Sequence, residues 1–158
     1  ISTAGMSKVF SLAGLRVGWV AAPKEVTEQI LIHRDYDTIS VGMINDHFAA
    51  LALEHADKVL ARSHAITRGN LAVLEAWIAR EPRVSWVKPR AGTTAMLKLD
   101  IPVSDREFCV DLVQTRGVML TPGDAFDMEG YARIGFANDK ETLTAGLEVL
   151  SDYLGTHF

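Results

Sequence analysis

Apolar residues follow two different spacings along this chain, and the spacing changes near Pro82. From Pro23 to Arg80 they recur every three or four positions, the pattern of helices with one buried face. Pro23 opens a predicted helix running to about Asp35, with Glu25 and Glu28 near its positive end. A second helix is predicted over about 43–54. A longer third covers about 57–80, where Ile66, Val73, Leu74, Trp77 and Ile78 share a face. "DTISVGM" is the loop between the first two, and Pro82 ends the third. Beyond it the apolar positions come in short alternating runs. "RVSWVKP" and "TTAMLKLD" suit two strands joined by a turn. Ser104 and Glu107 have capping-box spacing at the head of a helix that Gly117 stops. Asn138 and Glu141 repeat that spacing before a closing helix lined by Leu143, Leu147, Leu150 and Leu154. With "VML" and "YARIGFA" as strands between them, the order from residue 83 is strand, strand, helix, strand, strand, helix, an α+β layer arrangement.

The first 56 residues read differently. "LRVGWVAAP", Leu15 to Pro23, is expected to be a buried strand, and no obvious partner for it stands nearby. Such a strand needs a sheet supplied from elsewhere. The chain also starts at Ile1 and runs at once into a dense motif, so a C-terminal piece of a longer polypeptide is expected. Residues 1–56 would be the remnant of one domain. Residues 57–158 would form a small α+β domain that begins with a long interdomain helix.

Composition narrows the function classes. A hydrophobic content of 48% in 158 residues permits a real core. The net charge of −4, with Arg62, Arg68, Arg80, Arg83, Lys88 and Arg90 scattered among acids, disfavours nucleic acid and anionic membrane as partners. No apolar run reaches the roughly 18 residues of a membrane span. The single cysteine, Cys109, cannot form an internal disulfide and suits the apolar face of its helix, which makes a reducing cytoplasm the expected compartment. His33, His47, His55, His64 and His157 lack the close spacing of metal ligands, so no metal is expected.

The chemistry gathers in "GMSKVFSLAGLRVGW", Gly5 to Trp19. A lysine desolvated among Phe10, Leu12 and their neighbours would have its ammonium form disfavoured, leaving Lys8 a usable amine. Arg16 can clamp a phosphate with two parallel hydrogen bonds while the Ser7 hydroxyl adds another, and Gly14 allows the turn that faces both toward one ligand. Amine, hydroxyl and fixed cation on one loop suit a phosphorylated aldehyde. Taken alone, a lysine and an arginine at this spacing more often are surface charges.

The stretch is similar to the Schiff-base lysine region of class I/II aminotransferases, enzymes of fold type I that use pyridoxal 5′-phosphate. Gly5, Ser7, Lys8, Gly14, Arg16, Val17 and Gly18 fit that family's pattern. "GVMLTPGDAF" followed by "YARIGFAN" resembles the family's C-terminal signature, in which a strand arginine, here Arg133, grips the substrate α-carboxylate. From the residues alone, an arginine in an apolar strand calls for a carboxylate partner, which a structural Asp or Glu would also satisfy. The resemblance implies an α/β fold: the C-terminal part of the pyridoxal-phosphate transferase fold, with the tail of its large domain and its small α+β domain. It implies Lys8 as the catalytic lysine, Ser7 and Arg16 at the phosphate, amino acids and 2-oxo acids as substrates, and a homodimer. It also makes Thr38 and Ser40 candidate contributors near a dimer interface. One position departs: many relatives carry a phosphate-binding serine where this chain has Gly5, and Ser2 or Thr3 would have to compensate. The family's ring-pairing aspartate, stacking aromatic, and the asparagine and tyrosine near the ring oxygen precede the lysine and fall outside this chain. A lyase or synthase of the same fold, and the aminotransferase-like sensor domain of a transcription regulator, are the alternative readings.

Overall fold

In the computed structural model, which describes residues 1–158, the alternation after Pro82 becomes a four-stranded antiparallel sheet. Its strands are β3 (Val84–Trp86), β4 (Thr94–Leu99), β5 (Thr121–Pro122) and β6 (Tyr131–Gly135), in the order β3-β4-β6-β5. The period of two assigns the faces. Ala95, Leu97, Leu99, Ala132 and Ile134 are buried toward the core, whereas Met96, Tyr131 and Arg133 are half-buried on the other face. Met96 and Thr121 pair directly with Arg133, so these three form one cross-strand row. The predicted "VML" strand, residues 118–120, lies three residues too early: pairing begins at Thr121, because Gly117 leaves α4 (Asp105–Arg116) in a left-handed conformation and Val118–Leu120 connect it to the sheet edge.

The core layer is built by α3 (Ala56–Ile78), α4 and α5 (Lys140–His157). Leu74 and Trp77, Phe108 and Leu112, and Leu143, Leu147, Leu150 and Leu154 meet in one buried cluster with the sheet. Tyr153 joins it by donating its hydroxyl to Asp111, and burial together with that bond pushes its pKa up to about 12. Cys109 is a core residue, its thiol pushed up to about 12 by burial and by the nearby Asp105 and Asp124 carboxylates, which makes it unreactive.

Ser104 caps α4 as its spacing predicts, accepting the N–H of Glu107 at 3.2 Å. Ser104→Ala should cost about 1 kcal/mol, read as a lower urea midpoint at unchanged slope. At α5 the cap is Asp139, not Asn138: its carboxylate accepts from Glu141 and Thr142. Asn138 instead offers its carbonyl to the buried side chain of Asn70, which also bonds the Phe136 carbonyl and ties α3 to the end of β6.

The chain divides into two compact units, Ile1–His64 and Ala65–Phe158, with the division inside α3. The first unit has β1 (Ser2–Gly5) and β2 (Gly18–Ala21), a 3₁₀ turn at Ala13–Leu15, α1 (Lys24–Arg34) and α2 (Met43–Glu54). β2 is not a buried strand. It pairs antiparallel with β1, Ser2 opposite Ala21 and Gly5 opposite Gly18, and no residue of this two-stranded ribbon is buried. Trp19 and Val20 are 40% and 41% exposed because nothing in the unit packs over them. Ile30, Leu31, Ile32, Ile39, Ile44 and Phe48 are exposed as well, far more apolar surface than a finished face of a soluble domain carries. No helix is long and apolar enough to cross a membrane.

Candidate active site

The ribbon of β1 and β2 sets both ends of the loop that carries Ser7, Lys8 and Arg16. Its strands approach so closely that a Cβ on Gly18 would lie 3.0 Å from the Ala4 carbonyl oxygen, and one on Gly5 3.1 Å from that of Val17. Backbone crowding therefore favours glycine at position 5, where the family resemblance leads one to expect serine. Ser2 and Thr3 are exposed on β1.

Between the strands the loop folds on itself. Met6, fully buried, donates its N–H to Val17 and accepts from Leu12, each at 3.0 Å, and the Lys8 carbonyl accepts from Ser11 at 3.1 Å. Ser11 is also hydrogen-bonded to Ser63 on α3 at 3.0 Å. Two non-glycine residues adopt left-handed backbone, Ser11 at φ 57° and Arg16 at φ 53°. That conformation is uncommon for such residues and persists where surrounding bonds enforce it. Gly14 lies within the 3₁₀ turn and does not supply the left-handed geometry. The turn closes on Arg16, whose Nη1 donates to the Ala13 carbonyl at 3.0 Å and more weakly to Ser7 Oγ at 3.4 Å. Hydroxyl and guanidinium thus stand together, as the sequence predicts. Lys8 is exposed: its expected desolvation is not provided by residues of this chain. Thr38 and Ser40 are exposed in the segment between α1 and α2.

In the second unit Arg133 meets no carboxylate. Its Nη2 donates to Thr121 Oγ1 at 3.3 Å, and its Cζ lies 4.8 Å from the ring centroid of Phe126, a cation–π contact. None of the chain's ion pairs includes it. The structural Asp or Glu that residue-level reasoning allowed is absent, so a half-buried guanidinium keeps donors to spare.

Sequence reasoning missed Thr121, Phe126 and the loop that presents them. That loop, Gly123–Gly130, contains a 3₁₀ turn at Gly123–Phe126 and a left-handed Asp127. A Cβ on Gly123 would fall 2.1 Å from the Met128 carbonyl oxygen, so only glycine fits there. Its anchor is Asp105, 4% exposed at the head of α4, which accepts the Asp124 N–H at 2.8 Å and the Gly130 N–H at 3.1 Å. Burial works to raise the Asp105 carboxyl, but backbone N–H donors from Asp124, Gly130, Asp105 and Gly123 outweigh it and hold the group below the usual carboxylate range. A run as rich in turn residues as "GDAFDMEG" leaves N–H groups in need of an acceptor, and that was the available signal.

The sequence model of aminotransferase class I and II matches residues 1–150. Capreomycidine synthase of Streptomyces vinaceus is 34% identical over 158 residues, spanning 99% of this chain and 41% of that protein. Among solved structures, a PLP-dependent aminotransferase from Streptococcus suis 89-1591 superposes with a TM-score of 0.96 at 42% identity, covering 99% of this chain and 42% of that one. The PLP-dependent cyclase OrfR gives 0.92 at 34% identity, covering 99% of this chain and 43% of that one. The chain thus spans about two fifths of the length of the relatives it matches. A primary amine, a hydroxyl and a guanidinium on one backbone-locked loop are the donor set that an aldehyde with a phosphate tail takes, so the residues present fit the cofactor these relatives are named for. On these grounds the chain belongs to the class I and II aminotransferase family, and its fold is part of the α/β fold of those pyridoxal-phosphate enzymes.

Proposed function

We propose that, within a complete enzyme, this chain supplies the lysine, phosphate-holding and carboxylate-holding side of a site that transfers an amino group between an amino acid and a 2-oxo acid. The observation that carries this reading is Arg133, half-buried, steadied by Thr121 and Phe126, and without an acid of its own. Ser7 and Arg16 would hold the phosphate of pyridoxal phosphate, and Lys8 would hold its aldehyde carbon. When bound, that group supplies the electron sink that makes an amino acid's Cα proton removable. Lys8 Nζ would take that proton, and Arg133 would hold the α-carboxylate. The left-handed Arg16 keeps its guanidinium beside Ser7 without waiting for ligand, which lowers the ordering cost of binding.

The exposed apolar residues of the first unit support a fuller assembly, in which the rest of the enzyme and a second copy, as a homodimer, cover them. The single cysteine supports a cytoplasmic setting. A second reading is favoured by the 34% identity to capreomycidine synthase and to the cyclase OrfR: the same proton removal, followed by ring closure in place of amino transfer.

Product analysis separates the two. The whole polypeptide, loaded with pyridoxal phosphate and given an amino acid and a 2-oxo acid acceptor, should form one new 2-oxo acid for each amino acid consumed. A product that retains the original nitrogen in a ring would establish the second reading instead, and failure to consume any amino acid of a full panel would sink both. Residues 1–158 alone should consume none, because the ring-pairing and ring-stacking groups implied by the family resemblance lie outside them.

A further inference from the structure

We propose that Asp105, remote in sequence from Arg133, is a positioning residue for the substrate carboxylate, acting by clamping the Gly123–Gly130 loop so that Phe126 holds the Arg133 guanidinium in place. This rests on the reading of Arg133 given above and adds to it how the arginine is aimed.

The chain of contacts is continuous within the second unit. Asp105 is the only acid among the buried polar side chains, and it uses one carboxylate oxygen on each end of the loop, Oδ2 on Asp124 N–H and Oδ1 on Gly130 N–H. A carboxylate that bridges two backbone donors fixes their separation, which a neutral amide cannot do because half of its polar atoms donate. The loop is locked further by the Met128 N–H to the Gly123 carbonyl at 3.0 Å and by the two bonds from Arg106 to Asp124 at 2.6 and 3.1 Å. Phe126 sits at the loop's middle, and its ring lies against the Arg133 guanidinium while Thr121 accepts from it. An arginine with four freely rotating side-chain bonds gains little from one 3.3 Å hydrogen bond. The ring beneath it removes most of the remaining freedom, so the donors left over point to one place. Loosening the loop therefore leaves the guanidinium in the site but unaimed.

The test uses two probes that differ by the carboxylate alone, L-alanine and ethylamine, titrated into the whole polypeptide loaded with pyridoxal phosphate, with dissociation constants read from the change in cofactor absorbance. The ratio of the two constants isolates what the carboxylate contributes. Arg133→Ala should cut the preference for alanine about 100-fold, and if it does not, the reading of Arg133 fails before that of Asp105 is reached. Asp105→Asn and the milder Phe126→Leu should each cut the preference about 10-fold while ethylamine binding stays within about twofold, and in the Arg133→Ala background neither should have a further effect. A purely structural role for Asp105 would weaken both probes equally or lower the folded fraction without moving the ratio. Either of those results, or full additivity with Arg133→Ala, overturns the proposal. If Asp105→Asn does not fold, Phe126→Leu decides the matter alone, since Phe126 is 41% exposed and leucine keeps an apolar side chain there.

Discussion

Lys8→Ala in the whole polypeptide should abolish covalent trapping of the cofactor by borohydride and lower turnover at least about 10³-fold, with the circular dichroism spectrum unchanged. The structural half of that expectation follows from exposure: Lys8 makes no side-chain hydrogen bond or ion pair in this chain, so truncating it removes no packing and leaves no buried group unpaired. The catalytic half follows from the dual duty assigned to the amine. It both binds the aldehyde and moves the Cα proton, and a general base alone contributes about 10²–10⁴-fold. Lys8→Arg is the informative companion. It keeps the loop's positive charge at position 8 but has no deprotonatable amine, so it should be as inactive as the alanine variant. If the arginine variant retains substantial turnover, Lys8 serves as a fixed cation and the nucleophile is elsewhere. Peptide mapping of the borohydride adduct on the unsubstituted protein provides the second check, because Lys24, Lys58, Lys88, Lys98 and Lys140 are the other candidates in this chain. Label on any of them sinks the assignment.

How much of this was legible beforehand depends on how far apart the interacting residues lie. Local signals were reliable. Pro23 and Gly117 end or begin helices where their backbone restrictions require, Ser104 caps α4, and the four leucines of α5 are all buried. The Ser7–Arg16 pairing was readable too, because both residues belong to one loop. What failed was long-range. Nothing in Ser2–Gly5 marks it as the partner of β2, since small residues read equally as loop, and an apolar run such as Gly18–Ala21 is indistinguishable from a buried strand until its surroundings are known. Asn138 and Asp139 are both good caps, and the choice fell to Asp139 because Asn70, 68 residues away, engages the Asn138 carbonyl. Asp105 stands in the first turn of α4, where any acid complements the helix dipole, so its type and position alone do not single it out. Its actual partners lie 19 and 25 residues downstream.

The largest effect on stability is expected from Trp77→Ala, which should lower the unfolding free energy by about 3–5 kcal/mol, the range for deleting a buried large aromatic. Trp77 is 1% exposed and belongs to the same buried cluster as Leu97, Ala132 and Ile134, so the cavity would open in the core on which the sheet carrying Arg133 packs. It also loses a hydrogen-bond relay: the indole Nε1–H donates to Ser151 Oγ at 2.8 Å, and that hydroxyl donates to Glu81 at 3.0 Å. Trp77→Phe separates the two contributions. It restores most of the volume but leaves Ser151 without its donor, so it should cost about 1–3 kcal/mol. Because a domain's whole stability is only about 5–15 kcal/mol, the alanine variant should be partly unfolded at physiological temperature. Urea unfolding monitored at 222 nm measures both, with a lower midpoint at constant slope as the expected result. A loss below about 1 kcal/mol for Trp77→Ala would mean that the cluster closes over the gap, and that the sheet carrying Arg133 is held chiefly by its own ladder and by the Asp105 and Asn70 clamps. Carboxylate affinity should then survive the substitution, whereas a loosened core should weaken it together with stability.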